Sequence, residues 1–153
     1  VTAGTLSVSD DDHLSSGTLT LAGGTLALAG ATTIDNAVSV LASSTVNAGA
    51  NATLSGSVSG TAPLANTGAN TLTLSGSNTY SGAVTVSAGG LTVSGGSSLG
   101  DTAALVLGAG TTLTLAMGNE TIGSLSGSGN VVLGYRLTLG GDNTSIAITD
   151  VSS

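Results

Sequence analysis

Cysteine, tryptophan and phenylalanine are absent from this chain of 153 residues, and it holds one proline and one fixed cation, Arg136. Without cysteine there are no disulfides and no thiolate metal sites. A formal charge of −7 with a single cation leaves no means of releasing the counterions that drive nucleic-acid binding. Nor is there a basic patch to hold an anionic membrane surface, and no apolar run reaches the ~18 residues that read as a spanning helix. Nucleic acid and direct membrane insertion are therefore excluded as expected partners. Aromatic residues make up 1% of the chain, so any core must be built from Val, Leu, Ile and Ala. The chain opens on Val1 in mid-pattern, with no initiator Met and no signal peptide, and so reads as an excerpt or a processed product.

What is present is regular. Apolar residues amount to 40% and charged residues to only 6%, the reverse of a disordered composition. Leu6 and Val8, Leu19 and Leu21, Leu26 and Leu28, Val38 and Val40, and Leu72 and Leu74 alternate with Thr, Ser or Ala. So do Val84 and Val86, Leu91 and Val93, Leu105 and Leu107, Leu113 and Leu115, Leu137 and Leu139, and Ile146 and Ile148. A period of two is the mark of a half-buried strand, and the branched side chains of Val and Thr suit an extended backbone. No long window carries helical spacing. Gly, Asn and Ser clusters follow most of these runs and supply tight turns.

Short strands at close spacing fit either a sandwich or a solenoid. The lack of large aromatic anchors favours the solenoid, and so does an internal repeat. "VTAGTLSVSDDDHLS" from Val1 aligns with "VSAGGLTVSGGSSLG" from Val86. Further on, Leu19 and Leu21 answer Leu105 and Leu107, Leu26 and Leu28 answer Leu113 and Leu115, and Thr32–Ile34 answers Glu120–Ile122. Residues 1–60 thus recur loosely as residues 86–153, within one segment spanning 1–153. A repeat of that length is too large for one coil and divides into about four coils of about 20 residues. The whole chain then makes roughly seven coils, stacked ~4.8 Å apart with their strands parallel and their Leu and Val side chains in inward columns.

"TLTLSGSNTYSGAVTVSAGGLTVSGGSSLGD" (Thr71 to Asp101) resembles the autotransporter-associated β-strand repeat of large Gram-negative surface proteins. "ETIGSLSGSGNVVLG" from Glu120 and "LTLGGDNTS" from Leu137 are similar to the stretch that follows that repeat, and "TTIDNAVSVL" from Thr32 and "ATLSGSVSG" from Ala52 to the stretch before it. The resemblance covers nearly the whole chain. It implies an all-β fold, a right-handed parallel β-helix, exported and displayed outside the cell. In that family a Lys stands in an "LTKTGAG"-like stretch; here "LANTGAN" from Leu64 places Asn66 there, so a surface property resting on that Lys would be missing.

Few residues carry chemistry. "SDDDH" (Ser9 to His13) is the only charge run, and Asp10, Asp11 and Asp12 offer oxygen ligands for calcium. The alternative is a solvated turn, since the aligned stretch reads "SGGSS". His13 beside Asp11, with serines at hand, raises a hydrolytic triad. Asp35, Asp101, Asp142 and Asp150 with Arg136 raise cleavage of acidic polysaccharide, and Tyr80 and Tyr135 raise sugar stacking, against turn-capping or edge-covering roles. Asn36, Asn47, Asn51, Asn70, Asn78, Asn119, Asn130 and Asn143 read as turn residues whose stacked amides bond between coils. Three of them, Asn51, Asn119 and Asn143, open Asn-x-Ser/Thr sequons, an expected accident of composition. Pairs such as Thr18–Thr20, Thr71–Thr73 and Thr112–Thr114 raise an ice-binding array, against which their spacing is irregular.

The expectation is a non-enzymatic protein without catalytic, metal or cofactor residues: a rigid extracellular stalk on the bacterial cell surface, for display and adhesion. Its neighbours would be repeats of the same parent chain. The alternative is a self-assembling filament or biofilm-matrix subunit, since an uncapped solenoid offers open strand edges at its ends. Low charge and absent cysteine suit passage across an outer membrane as an unfolded chain.

Overall fold

In the computed structural model, which describes residues 1–140, the chain winds into a parallel β-solenoid of about seven coils. The Ile146–Ile148 alternation, Asp142, Asp150, the Asn143 sequon and the end of the second repeat copy lie outside the described residues. Each coil visits three faces in the same order. Face I stacks seven strands: Thr5–Val8, Thr25–Leu28, Ser44–Ala48, Leu64–Asn66, Val84–Val86, Ala104–Leu107 and Ser124–Gly127. Face II stacks six, Thr33–Ile34, Ala52–Leu54, Thr71–Leu74, Gly90–Ser94, Thr112–Met117 and Asn130–Leu133. Face III is broken into two groups, Leu19–Ala22, Val38–Ala42 and Val58–Gly60, then Glu120–Ile122 and Leu137–Leu139.

The coil length follows from the register. On face I, Thr5, Thr25, Thr45, Ala65 and Thr85 are successive partners 20 residues apart; Val106 follows after 21 and Ser126 after 20. On face II the sequence Thr33, Thr53, Thr73, Thr92, Thr114, Val132 steps by 20, 20, 19, 22 and 18. The turns absorb these insertions and deletions, and the ladders hold register apart from irregularities at Val93/Ser94 and Leu21/Ala22. At the strand spacing of ~4.8 Å, seven coils make a rod roughly 3 nm long.

Parallel, in-register stacking converts the period-two pattern into columns. Leu6, Leu26, Val46, Asn66, Val86 and Leu107 lie one above another on face I. Ile34, Leu54, Leu74, Val93, Leu115 and Leu133 do so on face II. Leu26, Leu28, Ile34, Leu54 and Val46 are wholly buried, and burial of each such side chain contributes roughly 1.5–3 kcal/mol. This is how a chain without Trp or Phe fills an interior: a narrow core needs uniform aliphatic layers rather than a few large anchors.

The two copies of the internal repeat occupy different faces. Leu6 is on face I and its aligned partner Leu91 on face II; Leu19 and Leu21 are on face III, Leu105 and Leu107 on face I. Leu26 and Leu28 (face I) answer Leu113 and Leu115 (face II), and Ile34 (face II) answers Ile122 (face III). Each of these pairs is displaced by one face in the direction of the chain. The alternation that drives the alignment says which side chains point inward and is blind to which side of the triangle they line.

Candidate functional site

Asn78, Ser98 and Glu120 are polar, buried and aligned along face III, where the run of strands is interrupted. Residues 78–80 and 98–100 run along this face without forming strands. Buried backbone groups still require partners, and side chains supply several of them. Asn78 is 6% exposed; its Oδ1 accepts from the Val58 N–H one coil below (2.7 Å) and its Nδ2 donates to the Ser98 carbonyl one coil above (2.6 Å). Glu120 is 2% exposed, and its two carboxylate oxygens accept from the N–H groups of Ser98 (3.1 Å) and Leu99 (2.9 Å). Side chains thus tie the rungs at Val58, Asn78, Ser98 and Glu120 into a continuous seam. Burial raises the pKa of the Glu120 carboxyl above the usual Glu value, and Asp101 adds to the rise, while the two backbone N–H bonds pull the other way.

Tyr80 belongs to the same seam. It is fully buried, so it neither stacks on a sugar nor covers an outer strand edge. Its hydroxyl donates to the Ala62 carbonyl at 2.5 Å and lies 3.2 Å from the Ala83 carbonyl, and burial pushes its pKa up to about 12. The ring fits because its neighbours lack side chains. A Cβ at Gly82 would lie 2.5 Å from the Tyr80 hydroxyl oxygen. Gly60, on the rung below, has φ +121° and would place a Cβ 2.2 Å from the Val40 carbonyl oxygen, so no L side chain suits it.

Asn66, at the family's Lys position, also points inward and is 2% exposed. Its Nδ2 donates to the Gly90 carbonyl at 3.1 Å, and its buried Oδ1 has no hydrogen-bond partner. The replacement of Lys therefore changes an interior rung, contrary to the expected loss of a surface property. An interior void beside Asn66, Tyr80 and Leu99 measures about 10 Å³, room for one water at most. A half-open depression of about 100 Å³ at Leu14, Ser15, Thr18, Leu19 and Asn36 is also far below the ~300 Å³ of ordinary ligand pockets.

The remaining asparagines divide. Asn36 donates to the carbonyls of Ser15 (2.6 Å) and Gly17 (2.7 Å) and Asn70 to that of Gly49 (2.8 Å), while the Oδ1 atoms of Asn51 and Asn119 accept from Thr71 and Arg136 N–H groups at 3.0 and 3.1 Å. Each of these bonds crosses from one coil to the next, as expected. The partners are backbone groups rather than stacked amides. Asn47 and Asn130 are exposed on strands.

"DDH" forms a 3-10 turn, Asp11–His13, where the first coil would otherwise begin its face II strand. Asp10 caps it, accepting from the Asp12 N–H at 3.1 Å. Among the described residues no group of three or more His, Cys, Asp or Glu is placed to hold a metal ion. Partial desolvation, then repulsion from Asp35, raises the Asp11 pKa. His13 is exposed, and among the described residues its ring is hydrogen-bonded to no carboxylate or serine. Asp35, Asp101 and Arg136 are exposed and stand on different coils.

The outward residues form ladders too. Thr33, Thr53, Thr73, Thr92 and Thr114 stack over five coils of face II, and Thr5, Thr25 and Thr45 over three of face I. The irregular sequence spacing of the Thr pairs hides this order, since the turns absorb the differences.

Taken together, fold and seam define a class: a parallel β-solenoid whose buried polar side chains bond from coil to coil. Residues 14–38 and 64–93 match the family described as passenger-associated-transport-repeat, and the second stretch runs through Asn66, Asn78 and Tyr80. These two stretches agree with the resemblance to autotransporter passenger repeats that the sequence motifs carry. No curated protein and no solved structure matches it. Among the described residues, no helix is long and apolar enough to cross a membrane.

The seam was missed in the sequence reading, although a signal for it exists. Glu120 and Asn78 share parity with the inward Ile122 and Tyr80, as Asn66 on face I does with Leu64, and parity, not polarity, decides which side chain turns inward.

Proposed function

We propose that this chain is a stretch of the extracellular rod of an autotransporter passenger, displayed on a bacterial surface and working without catalysis. Its role is to hold a distal element away from the cell and to lend its sides to adhesive contact. The observation that carries this reading is the parallel stacking of about seven coils, continuous along faces I and II, in a chain with two stretches that match the passenger repeat. Stacked strands hydrogen-bonded along the axis resist bending, and the exposed charged side chains Asp35, Asp101 and Arg136 stand apart on different coils. The neutral Thr ladders of faces I and II offer flat flanks without the charge that would limit contact to one kind of partner. Above and below, its partners are neighbouring coils of the same parent.

Immunogold labelling of intact cells of the source organism with an antibody to this chain tests the reading. Label on unpermeabilised cells, standing off from the membrane, is expected; label only after permeabilisation contradicts it. Sedimentation of the purified chain separates a spacer from a subunit that stacks end to end: a spacer stays a single species, whereas a subunit grows into uniform fibres.

A further inference from the structure

We propose that Glu120 makes the solenoid acid-strengthened, so that the rod holds together more firmly in mildly acidic surroundings than in neutral ones. Among the described residues Glu120 is the only carboxylate in the buried interior. It sits on face III between the coil of Ser98 and Leu99 and the coil of Leu137. Ordinary practice would place an apolar side chain here, as Val38 and Val58 occupy the corresponding rungs below. The two backbone N–H groups that reach the carboxylate are dipoles, and no cation stands against it in the interior.

The charged groups around it work in the same direction. Asp101, on the coil below, adds repulsion. Arg136, on the coil above, accepts the Glu120 N–H through its carbonyl at 2.9 Å, but its side chain is exposed. A charge held this way costs desolvation that two neutral donors do not fully return. The same logic recurs, more exposed, at the other end of the rod, where Asp11 faces Asp35 of the next coil and one shielded Asp11 oxygen, Oδ1, has no hydrogen-bond partner.

The sign follows from linkage. Folding raises the midpoint of the Glu120 carboxyl above its value in the unfolded chain, so the folded state binds the proton more tightly. The stabilisation is complete below the unfolded Glu midpoint of about 4.3 and is lost as pH rises through the folded one. Each unit of separation between the two midpoints appears as about a tenfold change in the folding equilibrium constant.

Urea unfolding of the wild-type chain and of Glu120→Gln, each at pH 7.5, 6 and 5, tests this. The ratio of wild-type to variant folding constants is expected to rise as pH falls, because the variant has no proton to gain. Charge neutralisation elsewhere is common to both proteins and cancels. A ratio that is constant or falls with pH overturns the proposal. Should Glu120→Gln fail to fold, titration of the Glu120 carboxyl carbon by NMR in the wild-type chain decides: a midpoint above the ordinary Glu value supports the proposal, and one at or below it overturns it.

Discussion

Faces I and II and the broken face III solve the same problem with different chemistry. On the first two faces, backbone ladders run over seven and six strands, and mostly Leu, Val and Ile side chains stack beneath them. On face III residues 78–80 and 98–100 form no strands; backbone bonds such as Gly100 N–H to the Tyr80 carbonyl (2.7 Å) still cross between coils, and Asn78, Tyr80 and Glu120 add side-chain bonds between the rungs. A column of Leu and Val tolerates exchange among its members. A seam of specific donors and acceptors does not, because each member is matched to a particular backbone group.

That contrast can be broken in order of severity. Tyr80→Ala is expected to be the most damaging, at about 3–5 kcal/mol, because the glycines around the ring cannot close the gap. Denaturant unfolding followed by circular dichroism measures it, and Tyr80→Phe, which keeps the ring, should lose only about 1 kcal/mol. Leu54→Ala, in the middle of the face II column, should cost about 2–5 kcal/mol in the same assay. Asn78→Ala strands the Val58 N–H and the Ser98 carbonyl, and unsatisfied buried groups cost about 1–3 kcal/mol each. Hydrogen exchange should then quicken at the Val58 amide while the amides of face II keep their protection, whereas Leu54→Ala should loosen face II. Asn119→Ala, which removes an exposed bond to the Arg136 N–H, should cost no more than about 0.5–1.5 kcal/mol and speed exchange at that amide alone.

The regular faces were the legible part of this molecule. Alternation at Leu26 and Leu28 or Leu72 and Leu74 fixed strand positions, and the repeat gave coils of about 20 residues, close to the observed steps. Parallel stacking followed from the absence of large anchors together with the internal repeat. The sequence did not show which face a strand joins, because inward parity is the same on all three, and so the repeat copies could be aligned one face apart. Nor did it show that Tyr80, Asn66 and Glu120 are interior. Polarity does not tell which way a side chain points: Asn78 and Glu120 serve inside face III where residues 78–80 and 98–100 form no strands, while Asn66 sits within the continuous ladder of face I. The Thr ladders stayed hidden for a related reason: their order exists between coils and not along the chain.

The account rests most heavily on one coil falling on the next at a step of about 20 residues. The absence of native cysteine makes this directly measurable. In the double variant Thr53→Cys with Thr73→Cys the two sites are paired on neighbouring strands, and the ~4.8 Å strand spacing lies within disulfide reach. Mild oxidation should join them within a single chain, shown by mass spectrometry and a mobility shift, while Thr53→Cys with Thr92→Cys, two coils apart, should remain unjoined. Efficient crosslinking of the second pair, or none of the first in a folded chain, would contradict the stacked-coil architecture.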